Sequence, residues 1–574
     1  MMIRKKWNPA AVAAIQALLI YVWLTDLSAL AGTDTYYSVY LLCGVAALLC
    51  LWDNRKGGKT HPALWIFAGL FSLAVVLGNH EIYEPASMQN RLNFCMDLLG
   101  GFCVGYQILR CMLRRLPLRG VTGARNHPKR VFWGVFAAVA VIDLGYLVFA
   151  RYPGILTRDS YTTIGQMLYG HYDNTMPYYL TRLVGLIVKL GIALTGDINF
   201  GVALFHGFQI LLLAAVFGYT VMTLYQIGVP GWGLGLVFFV YALLPYNIVY
   251  SITLWKDVPF GASALLLAAA FYRLLKSVGS NRKGDYAAFT LGALGMALLR
   301  TNGWYALLVA AVLLGILLRR QQRKLLTVLL AVLAVTWVMI GPLLNLLRVP
   351  DTDPVEAFAV PMQQIARVVS NDRALTQEEQ DLLSEIFLME KLGEVYDPQT
   401  VDPVKYEAFR YDQVDYIRQN APAYLKLYGT LGLRYPGDYL KAWVDETRGY
   451  WNGGYFYWIY TLEAEENNVG ILPTAGSGPI ARLYSAWFRF AEKPAALQML
   501  YSIGLRVWIL IACCVVCCLQ KRKHWLIAVP ALVVTVGLWL GTPVFAEFRY
   551  AYPMVLTSPL VLMVTLYDRK TDEG

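Results

Sequence analysis

Apolar residues in this chain do not alternate with polar ones; they arrive in long runs separated by short charged stretches. A run of roughly 20 apolar residues is the length of helix that crosses a bilayer core. The pattern predicts about 14 spanning helices, at 8–30, 36–52, 62–79, 92–112, 131–149, 198–225, 231–252, 257–276, 285–300, 303–318, 325–346, 500–519, 524–542 and 547–567. The one long polar region, 348–499, has helix punctuation of its own. Thr376 and Glu379 form a capping box ahead of Leu382, Leu383, Ile386 and Phe387, and Pro436-Gly437 makes a turn before a helix capped by Asp438. A small, mostly helical domain is expected there.

Composition excludes a soluble protein: 57% of the 574 residues are hydrophobic and 15% charged. The net charge of +11 does not indicate nucleic acid, because the basic residues fall in alternate short loops, near 55–59, 110–130, 273–283, 319–324, 521–523 and 569–570. That alternation places both termini inside the cell and makes the chain a multi-pass protein of the cell membrane. Arg4, Lys5 and Lys6 precede the first run as in a retained signal anchor. The stretch 180–195 is apolar but holds Arg182 and Lys189. If it crossed, two basic loops would be exported, so it is expected to lie flat on the outer surface within an outer loop, 150–197. The domains read as 1–130, an accessory bundle; 131–347, a core; 348–499, the outer domain; and 500–574, the last spans. All nine cysteines lie in or beside apolar runs, so no disulfide framework is expected.

The same count brings charged residues at five helix ends to the outer side. Asp159, flanked by Arg158 and Ser160, follows the fifth span; Lys256 and Asp257 join two spans with almost no loop; Arg300 precedes Asn302; and Glu547, Arg549 and Tyr550 open the last span. Each has an ordinary reading, since Asp caps helices and Lys or Arg snorkels to an interface. Together they supply a base and three cations, a set suited to a lipid-linked phosphate whose charge grows as it departs. Lys256, Arg300 and Arg549 are the expected phosphate binders, with Asp159 the base. His171 could be a second base or, with Asp159 and Asp173, hold a divalent ion, although the spacing fits no tight metal motif; no cofactor is expected. The aromatic run 450–460 offers Trp451, Tyr455 and Trp458 for stacking on sugars.

These features resemble the GT-C class of membrane glycosyltransferases, which take sugar from a polyprenyl-phosphate donor at the outer face. The resemblance is carried by Asp159 in the first large outer loop, the flat segment 180–195 after it, and the domain 348–499. The chain is also similar to an uncharacterised group of bacterial, mainly Gram-positive, membrane proteins, through Pro153-Gly154 with Asp159-Ser160, Trp255-Lys256-Asp257, Pro361 to Arg367, and Arg549 to Pro553. Where that group carries a His-Pro pair, this chain has Met176-Pro177, which shifts weight onto Asp159.

The resemblance implies an all-α polytopic membrane protein of GT-C type. It also implies inverting transfer of a sugar from a polyprenyl-phosphate donor to a cell-envelope glycan or lipid-linked saccharide. The rivals are a transporter or flippase of lipid-linked saccharides, and a non-catalytic glycan-binding protein. A flippase usually places polar groups near the bilayer midplane, whereas these charges gather at one boundary.

Overall fold

The computed structural model describes residues 8–33, 35–54, 60–85, 87–121, 125–318, 322–350, 355, 358–457, 459–462 and 467–568. It is almost wholly helical. Among the described residues the one sheet is a pair of two-residue antiparallel strands, Arg151–Tyr152 and Thr474–Ala475.

The helices follow the apolar runs. In order they are α1 (Pro9–Leu27), α2 (Tyr37–Asn54), α3 (Pro62–Gly78), α4 (Met88–Arg115), α5 (Pro128–Phe149), α6 (Arg158–Tyr169), α7 (Tyr178–Thr195), α8 (Ile198–Gln226), α9 (Gly231–Ala242), α10 (Pro245–Ser251), α11 (Asp257–Lys276), α12 (Arg282–Leu298), α13 (Gly303–Leu317) and α14 (Arg323–Val338). Three more apolar helices, Ile503–Leu519, Val529–Gly541 and Tyr552–Tyr567, come last. Eight described helices, counting segments that run on through a short adjoining turn, are long and apolar enough to cross a membrane, or nine if the bent pair α9–α10 is one span. One of the eight is α7, the segment expected to lie flat.

Departures from the expected spans occur at prolines, which lack the N–H that a continuing helix needs. The run 231–252 breaks between α9 and α10 with a bend of 49°, because Pro245 starts a new helix at its first turn. The run 325–346 passes through a π-helical turn, Met339–Leu343, that contains Pro342. Pro553 likewise delays the last helix to Tyr552, which leaves Glu547, Arg549 and Tyr550 in the loop before it.

The described residues form five apolar clusters, three of them large; a fourth packs α6 and α7 on α8 through Ile164, Val184 and Val202, and a small fifth holds Tyr455 against Phe545. The largest joins α5, α8 to α14 and the three last helices. A second, from α1 to α4, closes on Trp508, Ala512 and Val516 of helix Ile503–Leu519, with Trp508 edge-on to Phe67 and Phe71. The third, from Val355 to Tyr439, belongs to the polar region and contains the expected capping box of Thr376 and Glu379. Beyond it, Tyr450, Ala481 and Phe488 join the largest core. All nine cysteines are free.

Helix ends meet at both ends of the bundle. At one end of the bundle Lys276 and His524 pair with Asp568, at 3.2 and 3.0 Å, and Leu118 N–H donates to Leu566 O. The other end carries the charged residues described next.

A candidate ionic site where four chain segments meet

The site is built on a turn that the sequence fixes locally. Gly154 has φ of +136°, and a Cβ there would lie 2.1 Å from the His206 ring, so both backbone and space demand glycine. The chain then runs beside 252–254, with Ile155 N–H donating to Ile252 O at 2.8 Å, and enters α6 through a capping box. Ser160 Oγ accepts the Thr157 N–H at 3.0 Å and donates to Leu254 O at 3.0 Å, while Trp255 Nε1 donates to Thr157 Oγ1 at 2.8 Å. Two segments about a hundred residues apart are thereby pinned together, and Asp159 stands in the first turn of α6.

The Asp159 carboxylate accepts from Arg549 Nη1 at 2.7 Å and keeps about a third of its surface open, at 30% exposure. Burial pushes its pKa up, but Arg549, Lys256 and Arg300 outweigh that and hold it below the usual carboxylate range. Arg549 in turn lies over the Trp255 ring at 4.9 Å and the Tyr550 ring at 5.2 Å. Its Nε is 3.4 Å from Glu547 Oε1, within ion-pair reach but not aligned as a hydrogen bond. Glu547 is 2% exposed, and burial raises its pKa to about 7 against the opposing pull of Arg549.

On the other flank, Asp257 begins α11 and is fully buried. Its Oδ1 accepts from Arg300 Nη1 at 2.5 Å, and Arg300 also lies over the Tyr550 ring at 4.7 Å. Tyr550 thus has both guanidinium groups against its ring. Lys256 Nζ donates to Thr175 O at 3.3 Å; burial lowers its pKa, with Asp159 and Asp257 resisting. Asp257 Oδ2, Glu547 Oε2 and Arg549 Nε have no hydrogen-bond partner among the described residues. Buried polar atoms without partners are rare, and they cluster here.

The structure therefore brings Asp159, Lys256, Asp257, Arg300, Glu547, Arg549 and Tyr550 into one centre. Other expected residues stand apart from it. Arg158 points to the polar domain, with its guanidinium 5.9 Å from the Tyr406 ring. His171 and Asn302 are exposed, and Asp173 accepts from Gln166 Nε2 and Thr175 N–H, each at 2.9 Å, as a turn residue. Asp159, His171 and Asp173 do not form a metal-ligand group. The described residues gather three such groups only at His80, Glu81 and Asp445, where Arg367 and Arg448 already supply the positive charge.

Burial also removes the expected stacking platform. Trp451 and Tyr455 are 6% and 7% exposed, Trp451 stacked on Trp443 at 5.8 Å and Tyr455 covered by Arg448 at 4.6 Å. Neither ring offers a free face, and Trp458 lies outside the described residues.

Sequence reading missed Tyr450. Its OH accepts the Glu547 N–H at 3.0 Å and donates to Val544 O at 2.8 Å, which shapes the loop that carries Glu547 and Arg549. Gly449 beside it packs so closely that a Cβ would lie 2.0 Å from Ala546 Cβ. Trp255 was visible only as part of a motif, although its ring is what Arg549 rests on.

Fold and site define an all-α protein with helices of membrane-crossing length and a buried ionic centre at one end of them. Residues 171–574 match the family of unknown function DUF6020, and the chain belongs to that family. Asp159 precedes the matched region, and its partner Arg549 lies within it. No curated protein and no solved structure matches the chain.

Proposed function

We propose that the ionic centre is the active site of a membrane glycosyltransferase, which moves a sugar from a polyprenyl-phosphate donor to a cell-envelope glycan or lipid-linked saccharide. The observation that carries this reading is the convergence of three cations and three carboxylates from separate segments at the ends of apolar helices. A lipid-linked phosphate would have its headgroup at that boundary and its hydrocarbon in the bilayer. In this reading about 14 helices span the cell membrane with both termini inside, α7 lies along the outer surface, and the centre faces outward.

The chemistry follows from the charges. An acceptor hydroxyl attacks C1 of the sugar with inversion, the C1–O bond to phosphate breaks, and polyprenyl phosphate leaves with the electron pair. Arg549, Arg300 and Lys256 stabilise that negative charge. Asp159 accepts the hydroxyl proton. Paired with Arg549 it is a weak base, but a bound phosphate competes for the same guanidinium. Once Arg549 turns to the phosphate, its hold on Asp159 weakens and the opposing effect of burial counts for more, so the pKa climbs and Asp159 becomes a better proton acceptor.

The test is release of polyprenyl phosphate by the purified full chain from a panel of lipid-phosphate sugars with envelope acceptors. Asp159→Asn should reduce release by at least about 100-fold while the melting profile stays close to that of the parent. Undiminished release by the variant would refute this mechanism; lipid binding without release from any donor would favour the transporter.

A further inference from the structure

A cleft opens where the polar domain is fastened to the loop that carries Glu547 and Arg549. Val401 N–H donates to Pro543 O at 3.0 Å and Phe545 N–H to Gln399 O at 2.8 Å, so Thr400 and Val544 face each other as in a short antiparallel ladder. Beside this seam lies a volume of about 260 Å³, whose walls include Thr400, Asp402, Tyr406, Glu407, Tyr457 and Val544. None of these belongs to the ionic centre, yet the chain leads from the cleft to that centre twice. Val544 stands just ahead of Glu547, and Arg158, the neighbour of Asp159, holds its guanidinium 5.9 Å from the Tyr406 ring.

The walls decide what can enter. They present the carboxylates of Asp402 and Glu407, the phenols of Tyr406 and Tyr457 and the hydroxyl of Thr400, and no cation among the described lining residues. Lys405 is buried and already pairs with Asp402 at 3.1 Å, whereas Glu407 is exposed and has no ion pair among the described residues. The Thr400 hydroxyl donates to Pro543 O at 3.3 Å and keeps its lone pairs for a ligand. Close by, Glu446 is fully buried with neither oxygen hydrogen-bonded among the described residues; burial pushes its carboxyl well above the usual range, and Asp402 adds to the effect.

Carboxylates, phenols and a hydroxyl set around one space match a ligand rich in hydroxyl groups, which donate to the first and exchange hydrogen bonds with the others. The unpaired carboxylate of Glu407 counts against a ligand with an acidic group. The volume falls below the ~300–1,000 Å³ of drug-sized sites, so the occupant is small.

We infer that this cleft binds a sugar unit that carries no acidic group. That the sugar is the acceptor rests on the transferase reading; that it binds does not.

The measurement is a saturation-transfer NMR titration of the purified full chain in detergent, with methyl β-glucoside as the probe and glucuronate as its acidic counterpart. The glucoside should be saturated, and glucuronate should bind at least about tenfold more weakly. Tyr406 is 57% exposed and Glu407 is exposed, so Tyr406→Ala/Glu407→Ala should melt close to the parent and bind the glucoside at least about tenfold more weakly. No saturation of the glucoside, equal binding of glucuronate, or an unchanged titration in the double variant would overturn the proposal. Displacement by ethanolamine at equal concentration would reassign the cleft to an amine and reject the sugar. Polyprenyl phosphate release, read in parallel, separates the two readings. Release that is unaffected in a variant that has lost the glucoside rejects the acceptor role, whereas glucoside binding without release from any donor upholds the sugar site and counts against the transferase alone.

Discussion

Arg549 touches Asp159, Glu547, Trp255 and Tyr550 at once, and its behaviour depends on which carboxylate is charged. Asp159 remains ionised, whereas Glu547, held near pH 7 by burial, changes charge in the physiological range. The raised value has a stability consequence. Between its ordinary value of 4.5 and about 7, Glu547 stays protonated in the folded state after it has ionised in the unfolded one. Its contribution is therefore fully present below pH 4.5 and lost as pH rises through about 7, a change of order 3 kcal/mol. Glu547→Gln should melt with less dependence on pH, so that its advantage over the parent widens between pH 5 and pH 8; parallel melting curves across that range would contradict the assignment. The charges of the centre were legible in sequence because each interrupts an apolar run, which is costly without a partner. Tyr450 gave no such signal, since a tyrosine within an aromatic run looks the same whether its OH orients a loop or faces lipid. His206 and Gln209 did give one, as polar residues inside the run 198–225. His206 braces the turn before Asp159 through Pro153 O at 2.8 Å, and Gln209 braces the segment beside it, donating to the Tyr250, Ser251 and Thr253 carbonyls at 3.1, 3.0 and 2.9 Å.

At the scale of elements, α6 and the start of α11 behave as one unit because Ser160 and Trp255 fasten the two turns together. Ser160→Ala would leave the Thr157 N–H and Leu254 O without these partners, at a cost of about 1–2 kcal/mol. Its melting midpoint should fall accordingly, and polyprenyl phosphate release should fall with it; a variant that lost stability but kept full activity would show that the fastening does not position Asp159. Most helix limits follow directly from the runs: α8 and α11 fall within a residue of the sequence expectation at each end. The misjudged ones share a cause, for Pro245, Pro342 and Pro553 were in view but hydropathy windows average over them. Hydropathy alone also does not say how α7 lies, since its length and apolarity suit crossing while Arg182 and Lys189 do not.

For the whole molecule, the main question is how the first four helices, which lie before the family match, engage the rest. Part of the contact is apolar, through Trp508. The other part is a charged network: His80 with Asp445 at 2.7 Å, Asp445 with Arg367 at 2.8 Å, and Arg448 with Glu81 at 2.6 Å. Arg448 is 3% exposed while its partner Glu81 is open to solvent, and Asp445 keeps His80 and Arg367, so loss of Arg448 should cost about 1–3 kcal/mol. Arg448→Ala should therefore speed hydrogen exchange at 79–84 and 445–455 while α11 stays protected; unchanged exchange at 79–84 would show that the network does not couple the two parts. None of this network was anticipated, because its members lie hundreds of residues apart and each looks like an ordinary surface charge. The Asp159–Arg549 pair spans a still greater distance, 390 residues. During synthesis, then, the carboxylate is made long before its guanidinium partner, and the pair can form only once residue 549 has been added. A chain that stops short of residue 549 holds only half of this pair, so under the function proposed above it would lack the cation that faces Asp159.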